Sequence, residues 1–145
     1  MSIFGSLDIS ASALSAERLR MDVTAENLAN AQSTRTANGG PYRRKEVVLQ
    51  EQSGGGFAGA LASARAAGTP GGVSVSGISE DPSPDRLVYD PSHPDANAQG
   101  YVRMPNVNPV TEMVDLISAS RSYEANVTAM QTAKQMFTKT LDLLR

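Results

Sequence analysis

The chain has 145 residues, 15 acidic against 13 basic side chains and a net charge of −2. It therefore lacks the positive field that draws most nucleic-acid binders to phosphate, and nucleic acid is not an expected partner. It contains no Cys, which removes disulfides, thiolate nucleophiles and thiolate metal sites together, and with three Phe, four Tyr and no Trp it has few large side chains to bury.

At this length one domain with a modest core is the expectation. The first residues carry no basic n-region followed by an apolar run, so a cleaved secretory signal is not expected. No stretch approaches the roughly 20 apolar residues of a membrane-spanning helix, so direct membrane insertion is not expected either.

The first element is a helix ending near Asn30. From Phe4 to Leu28 the chain keeps a seven-residue spacing, with Leu7, Leu14, Met21 and Leu28 in one row and Phe4, Ala11 and Ala25 in its companion, a coiled-coil stripe. Arg18 falls in the companion row, where its aliphatic stem can lie along the seam with the charge outside. Asn30 and the run Gln32-Ser33-Thr34 then favour caps and turns over helix. Asn27 and Asn30, four residues apart, share a face, where amides can bond exposed carbonyls or an adjacent subunit, or simply mark the helix stop.

The middle, residues 31–107, holds all but one of the Gly and seven of the eight Pro. Short β-type runs at Glu46–Gln50, Gly72–Ile78, Arg86–Tyr89 and Tyr101–Met104 read as strands joined by turns, a small β-rich lobe. Between about 53 and 72 the composition falls to Gly, Ala and Ser, which bury little and cost much entropy to order, so a flexible loop is expected.

Asn108 as N-cap and Pro109 at the first helical position open a third region, 108–145. Steps of three and four align Met113, Leu116, Ser120, Tyr123, Val127, Met130, Lys134, Phe137, Leu141 and Leu144 on one stripe. A helix to Arg145 would run for about 55 Å, too long to bury in so small a domain. From Ser118 to Ala133 only Arg121 and Glu124 are charged, whereas a face meant only for water carries more Glu and Lys. The fold expected is mainly α, with the terminal helices (1–30 and 108–145) pairing as a coiled-coil-like hairpin and the middle lobe standing apart. Leu7, Leu14, Met21, Leu28, Met113, Leu116, Tyr123, Val127, Met130, Phe137, Leu141 and Leu144 are the expected packing and assembly positions. Small side chains around the second helix suit either a packed array of subunits, which grows as an open helical assembly when a heterologous contact does not close, or a monomeric two-helix hairpin with a mildly polar surface, and the pattern alone does not choose between them.

Chemistry is hard to place. His93 is the single histidine and lies between Pro91 and Pro94, which favours an extended turn over a triad or zinc site. Asp81, Asp85, Asp90 and Asp95 lack the Gly-centred loop and final Glu of a calcium hand. Gly54-Gly55-Gly56 runs into Phe57 rather than a Lys and hydroxyl residue, so it is no phosphate cradle. Arg43-Arg44-Lys45 is a weak phosphate footprint and is expected to meet acidic residues of this chain or a neighbour. No catalytic residue, cofactor or metal is expected.

The segment Ala25-Glu26-Asn27-Leu28-Ala29-Asn30 resembles the one bacterial flagellar axial proteins share where their first helix ends. Gly39-Gly40-Pro41-Tyr42-Arg43-Arg44-Lys45, His93-Pro94-Asp95-Ala96, Gly100-Tyr101-Val102 and Met104-Pro105-Asn106-Val107-Asn108 resemble the proximal-rod proteins within that group. So does the run from Glu112 to Ile117, followed by Ala119 to Val127, which contains Arg121 and Asn126. The resemblance implies a torque-transmitting subunit of the periplasmic rod, with terminal helices in an inner tube and the lobe outside. It implies as partners other rod proteins, further copies of this chain, basal-body components and the flagellar type III export apparatus, which passes such chains unfolded and uncleaved. Another rod or hook protein is the nearest alternative; a rod-associated cell-wall hydrolase would need a carboxylate pair in a cleft, and an export adaptor would need no β-rich middle.

Overall fold

The computed structural model describes residues 3–37, 39–52 and 71–143. Most of the stretch read as a flexible loop, residues 53–70, and Leu144 lie outside the described residues. The element order is α1 (Ile3–Ala29), β1 (Lys45–Glu51), β2 (Val73–Glu80), β3 (Arg86–Tyr89), β4 (Tyr101–Met104) and α2 (Pro109–Leu143). Two long helices thus flank a small β region, as the residue pattern implied. The strands form two two-stranded sheets, β1 with β2 and β3 with β4.

The helix ends follow from local chemistry. α1 stops where the Asn30 amide Nδ2 and backbone N–H both donate to Glu26 O at 3.0 Å, after which Ala31 N–H turns to Leu28 O and Ser33 N–H to Asn30 O. At the start of α2, Asn108 Oδ1 accepts the Val110 N–H at 3.1 Å, the N-cap bond expected of it, and Glu112 N–H closes the first helical turn on Asn108 O.

The chain divides into two compact units, one of Met1–Leu19, Val48–Gly77 and Ala119–Arg145, the other of Arg20–Val47 and Ile78–Ser118. In the first unit the buried apolar residues are small, Ala16, Ala119 and Ala133, while Leu7, Leu14, Tyr123, Val127 and Met130 are half-buried. A tight staple joins β2 to α1 there. Ser12 Oγ donates to Ile9 O at 2.8 Å and accepts the Val73 N–H at 3.0 Å, and Gln52 N–H donates to Gly72 O at 2.7 Å. A Cβ on residue 72 would lie 2.3 Å from Ser12 Oγ and 3.0 Å from its Cβ, so only Gly allows this approach.

In the second unit, Ala31, Tyr42 and Val107 form an apolar cluster, and Val23 and Val102 are buried as well. β3 and β4 pair antiparallel in the register Arg86 to Met104, Leu87 to Arg103, Val88 to Val102 and Tyr89 to Tyr101. Strand alternation sends Val102 inward and leaves Leu87, Tyr89 and Tyr101 together on the outer face, where the two Tyr rings meet edge-on at 5.2 Å. Gly100 closes the loop at φ +80°, and a Cβ there would meet the Tyr89 ring at 2.8 Å.

The staple makes a defined prediction. Gly72→Ala is expected to lower the unfolding free energy by about 1–2 kcal/mol through the forced retreat of Ser12. Combined with Ser12→Ala the loss should be less than additive, because both changes break the same bond to Val73. Thermal unfolding of the two single variants and the double variant measures the coupling.

Candidate functional site, a buried polar lock and exposed helix faces

The most ordered chemistry in the chain is one amide. Asn27, on the last turn of α1, is 1 % exposed. Its Nδ2 donates to Lys45 O at 2.8 Å and to Glu112 Oε2 at 3.0 Å, and its Oδ1 accepts the Lys45 N–H and the Tyr42 hydroxyl, each at 2.9 Å. Every donor and acceptor of the amide is used. Its paired bonds to the N–H and C=O of Lys45 imitate those of an adjacent strand, so the first residue of β1 is satisfied by a side chain on a helix.

Glu112, on the first turn of α2, is equally buried. Besides Asn27 it meets Arg44 Nε, 2.5 Å from Oε1, and the N-terminal end of α2 favours its negative charge. Arg44 also pairs with Glu46 and reaches Asp115 at 3.5 Å, and its backbone N–H donates to Asn106 Oδ1 at 2.9 Å. Asn106 Nδ2 in turn donates to the carbonyls of Asp81 and Ser83. The lock therefore gathers the end of α1, the start of β1, the 81–83 turn and the start of α2. Tyr42 is buried within it, and burial first, then the nearby charges of Glu26, Glu112 and Glu80, push its hydroxyl up to about 12.

The residues singled out from the sequence divide accordingly. Asn27, Tyr42, Arg44 and Asn106 meet in the lock, and Pro105 is buried in the same unit. Asn27 bonds the backbone carbonyl of Lys45 across the lock, while Asn30 bonds the carbonyl of Glu26 within its own helix. The basic run meets acids of its own chain: Arg43 lies 3.9 Å from Asp85, and Lys45 pairs with Glu26 at 2.6 Å and sits over the Tyr42 ring. Pro41 lines a cleft of about 650 Å³ beside the same run. Arg121 is exposed, and Asn126 only bonds back to Ser122 O along α2.

The roles of Glu112 and Asp85 as nearly buried partners of Arg44 and Arg103 did not follow from the sequence. Asp85 is nearly buried and takes two bonds from Arg103. Glu112, on the first turn of a helix, otherwise reads as a solvent-facing dipole partner, and its sequence neighbours Val110, Met113 and Val114 lie on a different, exposed face, so nothing local marks its burial.

Those neighbours form the second feature. Val110, Val114 and Ile117 are more than half exposed and Met113 nearly so, a run at i, i+3, i+4 and i+7 that makes one apolar stripe. Met113 thus faces solvent in the isolated chain, while Met21, Leu28 and Leu116 are half-buried. Further along α2, Phe137, Leu141 and Leu143 are exposed too. Among the described residues no cluster of acidic or His side chains is arranged for a metal, and no helix is long and apolar enough to cross a membrane. In the cleft the cations Lys45, Arg103 and Arg35 each already hold a carboxylate, on Glu26, Asp85 and Asp95.

An exposed apolar stripe on α2, next to a polar lock that fixes the start of the same helix, suits a subunit that packs against others. Consistent with this, the family described as flagella basal body rod protein matches residues 7–35, and the C-terminal region of flagellar basal body rod FlgEFG proteins matches residues 98–143. Flagellar basal-body rod protein FlgC of Bacillus subtilis (strain 168) is 55 % identical over 99 % of both chains. That of Escherichia coli O157:H7 is 47 % identical, over 99 % of this chain and 98 % of its own, and that of Borreliella burgdorferi 42 %, over 100 % and 99 %. The chain belongs to the FlgC family of flagellar basal-body rod proteins.

Two measurements address the lock. Asn27→Ala strands the Lys45 backbone, the Tyr42 hydroxyl and one Glu112 oxygen, and should lower the unfolding free energy by roughly 3 kcal/mol in chemical denaturation. Asn126→Ala, which removes only a local bond, should cost less than about 0.5 kcal/mol. The second is alkaline titration. Because the Tyr42 hydroxyl is raised in the folded chain, its contribution is intact below the ordinary tyrosine value near 10 and is lost as pH climbs towards 12. Tyrosinate absorbance should show one late-titrating ring, absent in Tyr42→Phe.

Proposed function

We propose that this chain works as a non-enzymatic structural subunit of the proximal part of the flagellar rod, carrying torque from motor to hook. Its terminal helices pair and pack against neighbouring subunits while the β-rich lobe lies outside them. Neighbours are other rod proteins and further copies of this chain, and the subunit reaches the periplasm through the flagellar export apparatus. Membership of the FlgC family along the full chain is the observation that carries the reading.

The physical support comes from what the isolated chain leaves in water. The stripe from Val110 to Ile117 is exposed; the charges nearest it on the helix, Glu112 and Asp115, are held by Arg44. A charge-free apolar stripe gains roughly 25 cal/mol for each Å² covered, so contact with a neighbour is favourable wherever geometry permits it. The low charge from Ser118 to Ala133 suits close approach by other helices.

Purified basal bodies stripped of hooks and filaments are expected to hold this chain as a stoichiometric component by mass spectrometry. Val114→Asp with Ile117→Asp changes only exposed positions, so unfolding should shift by less than about 1 kcal/mol, yet the double variant should leave cells without a completed rod and non-motile. Normal swimming of cells expressing it would remove the stripe from the assembly surface.

A further inference from the structure

His93 sits in the loop that joins β3 to β4, and it makes a hydrogen bond that only the neutral ring can make. Pro94 has no N–H, so the next donor along the backbone is Asp95, whose N–H points at His93 Nδ1 at 3.1 Å. The loop is built of two successive turns, His93 N–H to Asp90 O at 3.3 Å and Ala96 N–H to His93 O at 3.0 Å, and the imidazole pins the second. With Nδ1 accepting, the ring proton belongs on Nε2.

The same loop residue ties the hairpin to the segment after α1. Asp95 Oδ2 accepts from Thr34 Oγ1 at 2.9 Å, and Oδ1 meets Arg35 Nη2 at 2.5 Å. Bonds from Thr34 first, then the charges of Arg35 and His93, hold the Asp95 carboxyl below its usual range. Asp90 is held low chiefly by Ser92, with a smaller contribution from His93. The charged groups coupled to the ring are Asp90 and Asp95 from its own loop, and Arg35 of the 33–36 segment is paired with Asp95.

We propose that His93 is a proton-responsive pin of this loop, whose protonation trades the Asp95 N–H bond for a bond from the ring to a neighbouring carboxylate. A proton on Nδ1 turns the acceptor into a donor facing another donor, so the contact with the Asp95 N–H is lost. The cationic ring then turns to the carboxylate of Asp90 or Asp95. When Asp95 is engaged in this way its hold on Thr34 and Arg35 loosens, and the loop beside the exposed Tyr89 and Tyr101 rings gains freedom.

Nitrogen NMR of the full chain between about pH 8 and 5 tests this. At the upper end His93 Nδ1 should be the unprotonated nitrogen. Through the ring's titration the Asp95 amide should lose about fivefold in exchange protection after correction for intrinsic rates, the equivalent of one modest hydrogen bond, with the same midpoint as the ring. In His93→Asn, whose carbonyl can accept the Asp95 N–H at every pH, that protection should stay constant. A neutral ring protonated on Nδ1, an Asp95 amide indifferent to the ring's titration, or the same pH response in His93→Asn would each overturn the proposal.

Discussion

The second unit depends on the amide of Asn27. A buried amide with an unmet donor or acceptor is costly, and one with all its valences met is correspondingly selective about what surrounds it. Here the valences are met by the backbone of Lys45, the hydroxyl of Tyr42 and the carboxylate of Glu112. Replacing the amide by a carboxylate would set two negative groups against each other at Glu112, and a longer Gln would not reach the same two Lys45 atoms from the same helix position. The geometry accepts one residue type.

Around that amide the unit is organised by polar bonds because the chain has little else to organise it with. The Arg44–Glu112 pair is one that, in isolation, apolar residues of similar volume would often match in stability. What it adds is definition: Arg44 joins Glu112, Glu46, Asp115 and, through its backbone, Asn106. The first turn of α2 is thereby fixed to the first residues of β1, and Asn106 extends the bonding to the 81–83 turn. A small apolar cluster of Ala31, Tyr42 and Val107 would tolerate several arrangements; the directional bonds beside it do not.

Much of the architecture was legible in the sequence. The extent of α1, the Asn108-Pro109 start of α2 and all four strand runs follow from periodicity, capping and β-branched content, signals that are local, whereas Ala11, Arg18 and Ala25 of the companion heptad row are exposed. The lock was not legible, because its meaning depends on which residues meet across 15 to 85 positions of sequence. Asn27 and Arg44 stood out through family resemblance, but Glu112 looks like any first-turn acid until Arg44 is brought beside it. Met113 shows the converse limit. Steps of three and four place it equally well on the stripe with Leu116 and on the one with Val110, Val114 and Ile117, and periodicity alone cannot choose between two apolar faces of one helix.

That second face gives the arrangement its sense for a rod subunit. A chain that must remain manageable as a single molecule and then join a rigid assembly has conflicting needs, since apolar surface drives assembly and also drives misassembly. Putting the directional polar bonds inside the unit fixes its shape without drawing on Val110, Met113, Val114 and Ile117, which stay exposed and free of charge. An Asp or Lys on that stripe would leave the lock intact while removing the surface, whereas a change at Asn27 would leave the stripe and remove the frame that presents it. On the proposed role of the stripe, shape and adhesion rest on separate residues, although Glu112 and Val114 stand only two positions apart on one helix.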